Sequence, residues 1–268
     1  MAISKEDLHQ AILKRYQDVT KHSRFYHYTS LAVLVDHVLP EFKLRFSHPN
    51  NFNDPFDCNE WLLNHETTNK EFQVGMKESK IYTQSNRSFK RKIKRDYYKG
   101  DSTRRILNSE KKVYRMACFS KLSDEVLMWS HYADRHKGVC VGFDFPHLYE
   151  DKFILVPVIY EDKIEPFSGL ANNLEVILHW LTTKSKRWEY EEEIRAIMRT
   201  KLISDQYDYV QVDPSCIREI VFGCNVPDQV IRKSLKKFKN AGLKLKDLRI
   251  ARMRINPKTF LLKAEKIN

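Results

Sequence analysis

The chain has 268 residues, of which 42% are hydrophobic and 12% aromatic, so it can bury a substantial core and its composition argues against disorder. Its seven glycines form neither a GxGxxG nor a GxxxxGK arrangement, which excludes the usual glycine-rich nucleotide-binding loops. The formal net charge of +12 favours phosphate-bearing partners such as nucleic acid or an anionic cofactor, but a generally basic surface explains it equally well.

The cysteines and the N-terminus favour an intracellular protein. The chain has five cysteines, an odd number, and no two of them are spaced as CxxC. This pattern is typical of reduced thiols. No apolar span approaches the roughly 18 residues of a transmembrane helix, and the first ten residues lack the apolar core of a signal peptide. We therefore expect a cytoplasmic protein without a membrane partner. The sequence does not indicate its oligomeric state.

The first sixty residues combine helix and strand signals. Thr29 or Ser30 is placed to cap a helix that Pro40 ends. The expected elements are an amphipathic helix over residues 1–22, a strand over Phe25–Tyr28, an apolar helix over 31–39, a strand over Lys43–Phe46 and an ordered polar loop over 47–57.

Residues 60–112 are predicted to form a basic helical insert. From Arg87 to Arg105 there are nine Lys and Arg against two Asp, with aromatic residues interleaved. Such a pattern can bind phosphate backbones and stack on bases. A solvated helical face explains the same composition. The nucleic-acid-binding candidates are Arg91, Lys92, Lys94 and Arg95.

The remainder of the chain mixes strands and helices without regular βα alternation. Pro157 marks its strand as an edge or a bulge. The expected strands are Val113–Ser120, Val139–Phe145, Phe153–Tyr160, Glu192–Met198, Ile217–Phe222 and one or two more over 248–263; the expected helices are a short one after Ser123 or Asp124, one over Leu174–Arg187, and a basic one that Pro227 starts and Gly242 caps. This order predicts a single α+β domain over residues 1–268.

Several kinds of site lack their sequence signature. His131 and His136 have neither a third histidine nor a thiol pair at ligand spacing, so no metal site is expected. No serine lies in a GxSxG elbow, which argues against a hydrolase triad. A metal-dependent nuclease would have to assemble its carboxylates from Asp54, Asp57 and Glu191.

The carboxylates near the end of the WEYEEEIR run are more informative. Glu191 and Glu193 are two residues apart and would share one face of a strand. Two like charges so close raise each other's pKa unless a cation lies between them. Arg187 and Arg195 are the nearby candidates for that cation.

Five segments carry a resemblance to a known family. They are FYHYTS, LRFSHPNNFNDPFD, ACFSK, LMWSHYADRHKGVCVGFDF and WEYEEEIR. Together, from about residue 24 to 225, they resemble the uncharacterised bacterial family called domain of unknown function 2971. More distantly, the His-bearing strand, a Ser-bearing strand and the late glutamate resemble the ADP-ribosyltransferase superfamily, including the DNA-modifying DarT-like enzymes.

That resemblance implies a fold and an activity. The fold is a split mixed or antiparallel β-sheet core of ADP-ribosyltransferase type, with flanking helices and the basic helical insert. The activity is that of an NAD-consuming ADP-ribosyltransferase or NAD glycohydrolase, with NAD as substrate, DNA or RNA as a possible acceptor and phage defence as a possible setting.

The resemblance also implies roles for residues. Glu193 is the catalytic carboxylate, Glu191 its helper or alternative, and His27 orients the ribose. The middle catalytic position stays open among Ser47, Ser120 and Tyr132. The residues expected to bind NAD are Tyr28, Thr29, Ser30, Arg45, Ser47, Asn53, Asp54, Ser120, Trp129, His131, Tyr132 and Arg195. Replacing Glu193 by Gln is then expected to lower turnover without unfolding the protein.

The alternative is a non-enzymatic module that binds nucleic acid or another effector through its basic surface. In that case Asn53 and Asp54 cap a turn, and Glu191 and Glu193 pair with arginines.

Overall fold

The structure is a computed structural model. It describes residues 19, 24–62, 65–66, 69–77, 80–98, 109, 111–145, 152–164, 167–168, 173–201 and 207–267. Apart from Val19, the helix expected over residues 1–22 lies outside this part of the chain.

One eight-stranded mixed sheet forms the centre of the protein. Its strands are β1 (Phe25–Thr29), β4 (Tyr114–Ser120), β5 (Val139–Phe143), β6 (Ile154–Pro157), β10 (Glu193–Arg199), β12 (Ile217–Phe222), β13 (Arg249–Ile255) and β14 (Leu262–Lys266). In space they follow the order β14-β13-β12-β5-β1-β4-β10-β6. Every neighbouring pair is antiparallel except β12 and β13, which are parallel and joined through a helix.

Three two-stranded ribbons surround the sheet. They pair β2 (Lys43–Phe46) with β11 (Asp208–Gln211), β3 (His65–Glu66) with β8 (Phe167–Ser168), and β7 (Ile159–Glu161) with β9 (Thr183–Ser185). A single bridge between Ser47 and Met116 joins the end of β2 to β4.

The described part of the chain contains seven α-helical segments, α1 to α7. They are α1 (Leu31–Val33), which continues as a π-helical turn over Leu34–Val38, α2 (Asn69–Lys77), α3 (Lys80–Gln84), α4 (Arg87–Tyr98), α5 (Val126–Tyr132), α6 (Asn173–Thr182) and α7 (Asp228–Asn240). Ser30 caps α1 by accepting a hydrogen bond from the Val33 amide, as its position before an apolar run predicts. Helices α2 to α4 occupy the segment expected to be a basic insert.

The two faces of the sheet bury different clusters. One face packs Phe119, Phe143 and Phe222 against α1 and α7. On the other face, Trp180 of α6 and Trp129 of α5 lie at the centres of two smaller clusters. The helices therefore cover both faces, and the sheet is largely buried.

The sheet opens between β1 and β4. Strand β1 pairs with β5 over all five of its residues, but it meets β4 only where Tyr26 faces Ser120. Beyond that position the strands separate. Neighbouring side chains of a strand point to opposite faces of the sheet. A gap between two strands can therefore be lined by side chains from both faces. We call this gap the fork.

Most expected strands agree with the structure to within a few residues. The α+β class is confirmed, and β6 is an edge strand that ends at Pro157, as predicted. The helix expected over Leu174–Arg187 is wrong in its second half: α6 ends at Thr182, and Thr183–Ser185 form β9. Consecutive β-branched threonines favour a strand there. Among the described residues, no helix is long and apolar enough to cross a bilayer.

Candidate active site

A cavity of about 520 Å³ lies at the fork, within the range of about 300–1,000 Å³ typical of small-molecule sites. Consecutive residues of β1 (26–29) and of β4 (116–119) line it, as expected where two strands separate. Ten of the expected site residues also line it. They are His27, Tyr28, Thr29, Arg45, Ser47, Asn53, His131, Tyr132, Glu191 and Glu193.

His27 and Glu193 reach this cavity from different strands. Ser120 of β4 pairs with Tyr26 on one side and with Glu193 on the other, so β1 and β10 are two strand spacings, roughly 10 Å, apart. Because strand side chains alternate between faces, His27 and Glu193 leave the sheet on opposite sides. They line one cavity because the fork lets it pass between the strands.

The geometry fixes the tautomer of His27. Its Nδ1 lies 2.9 Å from the Cys118 carbonyl oxygen, which can only accept, so Nδ1 carries the proton. Burial, together with the charge of Arg45, lowers the pKa of His27 although the bond to Cys118 opposes this. The imidazole is therefore neutral at pH 7, and Nε2 is a hydrogen-bond acceptor on a side chain that lines the cavity.

A buried lysine holds the two glutamates together. Lys184 Nζ donates to Glu191 Oε2 at 2.5 Å and to Glu193 Oε2 at 3.1 Å. Glu191 ends a 3₁₀ turn (Lys186–Glu191), and Glu192 then takes a left-handed conformation with φ 40°. That turn, and not a shared strand face, brings the two carboxylates to one cation. Burial opposes the charge on Lys184, but Glu193 and Glu191 outweigh it and raise the pKa of Lys184.

Arg195 forms the second half of the ion cluster. Its Nε donates to Glu193 Oε1 at 2.8 Å, and its terminal nitrogens bind both oxygens of Asp57 at 2.8 and 2.6 Å. Leu181 supplies a carbonyl at 2.6 Å. Such bidentate pairing satisfies a buried guanidinium. Burial alone would raise the pKa of Glu193, but Arg195 and Lys184 hold it far below its ordinary value.

The cluster contains three carboxylates and two cations. Asp57, Glu191, Glu193, Lys184 and Arg195 are each 6% exposed or less, so their formal charges leave one negative charge uncompensated. Burial raises the pKa of Glu191, and Glu193 adds to this rise although Lys184 opposes it. The surroundings thus shift the pKa values of the two glutamates in opposite directions. Glu193 stays ionised, whereas Glu191 is the carboxylate suited to exchange a proton.

Tyr132 and Asn53 connect Glu191 to the loop that follows β2. The Tyr132 hydroxyl donates to Glu191 Oε1 at 2.7 Å and accepts from Asn53 Nδ2 at 3.3 Å. Burial and the adjacent carboxylate raise the pKa of Tyr132, which therefore remains a donor. The Glu193 amide donates to the Tyr160 hydroxyl at 2.8 Å. Two tyrosines thus fix the start of β10.

A solvent-exposed cation marks another part of the cavity wall. Arg45 lies on β2, and its guanidinium stacks 4.3 Å from the ring centre of Tyr207. Ser47 binds the backbone of Met116 through its own amide and carbonyl. Arg45 is thus an expected NAD-binding residue that lines the cavity and presents its positive charge to solvent.

Five of the expected site residues do not line the cavity. Arg195 is fully buried and engaged by carboxylates, so it is not placed to hold a diphosphate. Ser120 and Trp129 are also fully buried: Ser120 donates to the Glu191 carbonyl at 2.6 Å, and Trp129 packs edge-on against Tyr28. Ser120 and Trp129 therefore lie behind the residues that line the cavity. Of the three candidates for the middle position, Ser47 and Tyr132 remain.

The other two residues outside the cavity wall have local roles. Ser30 caps α1. Asp54 is buried and accepts a hydrogen bond from the Phe56 amide at 2.9 Å, which is the turn-capping role expected of it in a non-enzymatic protein. Arg187 is exposed and is not the cation between the glutamates.

A metal-dependent activity would need side chains that could bind a metal ion. No group of three or more His, Cys, Asp or Glu that could hold a metal ion occurs in the described part of the chain, and Asp57 is taken up by Arg195. A nuclease site built on Asp54, Asp57 and Glu191 therefore has no support.

The four residues expected to bind nucleic acid are exposed on α4. They are Arg91, Lys92, Lys94 and Arg95.

Sequence reasoning missed Lys184, the residue that joins both glutamates. It lies in a stretch expected to be helical, where it has no reason to meet residues 191 and 193. The pair Thr182–Thr183 followed by Ser185, which caps the next turn, was the available signal for a break. Asp57 was noted only as a metal ligand, and its partner Arg195 is 138 residues away.

The comparisons with known proteins agree with one part of the resemblance. A model of the family described as "Protein of unknown function (DUF2971)" matches residues 128–196. That stretch contains Tyr132, Lys184, Glu191 and Glu193. No curated protein and no solved structure matched the chain.

Proposed function

We propose that the cavity binds NAD and cleaves the bond between nicotinamide and ribose, passing the ADP-ribose to an acceptor or to water. One observation carries this proposal: His27 lines the same cavity as Glu191 and Glu193, which belong to a buried cluster of three carboxylates and two cations. The opening between β1 and β4 supports a split sheet of ADP-ribosyltransferase type.

The charge distribution fits the chemistry of that bond. When the glycosidic C–N bond breaks, its electron pair goes to the nicotinamide nitrogen and the ribose becomes oxocarbenium-like. The ionised Glu191 carboxylate carries the excess negative charge of the cluster, and it stabilises the positive charge on the ribose in a site sheltered from water. The acceptor nucleophile then bonds to the ribose carbon, and Glu191 takes the proton that it loses.

The remaining wall residues bind the rest of the substrate. His27 Nε2 accepts a hydrogen bond from a ribose hydroxyl, and Tyr28 or Tyr132 packs against the nicotinamide ring. Arg45 pairs with the diphosphate. Glu193 has both oxygens occupied by Lys184 and Arg195, so we assign it to positioning and transfer the proton-exchanging role to Glu191.

Nicotinamide release from labelled NAD, followed across pH, tests this assignment. We expect release whose rate falls as the pH drops, because protonation removes the ionised form of Glu191. Since the pKa of Glu191 is raised above its ordinary 4.5, the fall begins at higher pH than for an exposed glutamate. A flat acid limb, or no release with water, protein, DNA or RNA as acceptor, would contradict the proposal.

The alternative, a non-enzymatic effector module, has one observation in its favour. Asp54 caps a turn, and every carboxylate of the cluster has a cation or a donor beside it, as in a purely structural ion cluster. Such a protein would release no nicotinamide, so the same assay separates the two functions.

A further inference from the structure

The positive charge of the chain is concentrated in two segments. Residues 228–267 contain thirteen Lys and Arg against three Asp and Glu, a net of +10, and residues 60–112 contain fourteen against seven, a net of +7. With +12 for the whole chain, the remaining residues carry a net of −5. The rest of the sequence is therefore slightly acidic in total, and the excess positive charge of the chain resides in these two segments.

The C-terminal segment presents its charges on one helix. The inner face of α7 is apolar: Ile231 and Phe238 are buried, and Phe238 stacks on Phe222 with ring centres 6.0 Å apart. Five basic side chains, all exposed, cover the outer face. They are Arg232, Lys233, Lys236, Lys237 and Lys239.

Asp228, the acidic residue at the start of the same helix, pairs with Arg252 and not with any of these five side chains. In the described part of the chain, none of them makes a side-chain hydrogen bond or ion pair. Arg232 with Lys236, and Lys233 with Lys237, are like-charged pairs at i, i+4, a spacing that destabilises a helix. An external polyanion would relieve this repulsion.

The basic helix α4 of the other segment is less available. Lys90 donates to the Thr83 carbonyl at 3.1 Å, and its ammonium lies 5.5 Å from the centre of the Tyr82 ring. Lys94 lies 5.9 Å from the ring centre of Phe72. Part of the charge of α4 is thus used to hold the insert together.

The hairpin between β13 and β14 adds exposed apolar groups to the same segment. Phe260 is fully exposed, and Ile255 and Leu261 are more than 60% exposed, with Lys258 and Lys263 on either side. An unpaired aromatic ring flanked by lysines is suited to stack on a base. Leu262 of β14 packs against the cluster that contains Trp129 and Met253, which anchors the hairpin to the sheet four strand positions away from β1.

We infer that the outer face of α7 and the β13–β14 hairpin bind nucleic acid. The thirteen residues of α7 span roughly 20 Å, which matches roughly six phosphates of one strand at about 3.4 Å each. Phe260 of the hairpin supplies the ring that stacks on a base. This inference rests on the proposed function only in making the bound strand the acceptor of ADP-ribose; the binding itself needs no NAD.

An anionic membrane is the other polyanion that a basic surface can meet. A helix that lies on a membrane turns its apolar side towards the lipid. The buried apolar residues of α7 face the core, and Val230 is 37% exposed, so the outer surface of this helix is mainly charged. The arrangement favours nucleic acid.

Fluorescence anisotropy with labelled single-stranded and duplex DNA and RNA, over a salt series, tests the inference on the full chain. The variant carries Lys233→Gln, Lys236→Gln, Lys237→Gln and Lys239→Gln, because Gln keeps the helix. We expect it to bind at least about tenfold more weakly at low salt and with a flatter salt dependence. Phe260→Ala should weaken single-strand binding more than duplex binding.

The matched control carries four Gln substitutions on α4, at Arg91, Lys92, Lys94 and Arg95, and should lose less affinity than the α7 variant. Wild-type affinity in the α7 variant, a larger loss in the α4 control, or binding to phosphatidylserine vesicles without binding to nucleic acid would each overturn the inference. Nicotinamide release to water should be unchanged in the α7 variant. Nicotinamide release without nucleic-acid binding would contradict only this inference, and nucleic-acid binding without nicotinamide release would contradict only the proposed function.

Discussion

Replacing Glu191 by Gln is expected to lower nicotinamide release by a factor of roughly 10²–10³, the effect of removing one electrostatic contact from a transition state. The substitution removes the carboxylate that carries the uncompensated charge and accepts the proton. Steady-state rates of nicotinamide release by the variant and the wild type measure the loss.

The same substitution should leave the protein folded. Without the charge of Glu191, two cations face two carboxylates, so the buried cluster becomes balanced. Stability at neutral pH should be equal to or higher than that of the wild type, since burial already disfavours the ionised form. Glu189→Gln, on the exposed side of the same 3₁₀ turn, is the control and should retain activity. A Glu191→Gln variant that releases nicotinamide at the wild-type rate would remove Glu191 from the mechanism.

Replacing Arg195 by Met should have the opposite profile, with a large loss of stability. It leaves Asp57 and Glu193 buried without their main partner, and breaking one side of a buried ion pair costs about 3–5 kcal/mol. For a chain of this size that corresponds to a fall in Tm of roughly 10 °C. Thermal denaturation monitored by circular dichroism measures it.

A surface arginine provides the control for this loss. Arg218 lies 4.0 Å from Asp144, and both side chains are about half exposed. An exposed pair contributes about 0–1 kcal/mol, so Arg218→Met should change Tm little. Equal Tm values for Arg195→Met and Arg218→Met would show that the buried cluster does not stabilise the fold.

The contrast between Glu191 and Arg195 also revises the role expected of Glu193. Glu193 accepts hydrogen bonds from both Lys184 and Arg195. Because Arg195 and Lys184 hold the pKa of Glu193 below its ordinary value although burial opposes this, its ionised form stabilises the fold, and replacing it by Gln should lower stability as well as turnover. Glu191 is the better single residue for a test of chemistry.

Local elements were predictable because their signals are local. The strand over Ile217–Phe222 and the helix that follows Pro227 were readable from alternation, a proline and Gly242. The cap at Ser30 was one of two open choices. Each of these depends on residues close together in the chain.

The site was predictable only in outline because its geometry is non-local. Patterns indicated His27, Glu191 and Glu193, but nothing local indicates that β1 and β4 separate after Tyr26. The pairing of Asp57 with Arg195 spans 138 residues. The role of Lys184 could not be predicted because the apolar spacing of the segment indicates a helix through residue 187, whereas the helix ends at Thr182.

The central claim is that a dinucleotide lies between His27 and the acidic pair. A thermal titration with NAD tests it most directly: saturation at about a hundred times Kd should stabilise the wild type by about 2.7 kcal/mol. His27→Ala should lose this stabilisation, whereas Phe56→Ala, exposed and outside the cavity wall, should keep it. No upward shift at millimolar NAD, or the same shift in the His27→Ala variant, would contradict the account.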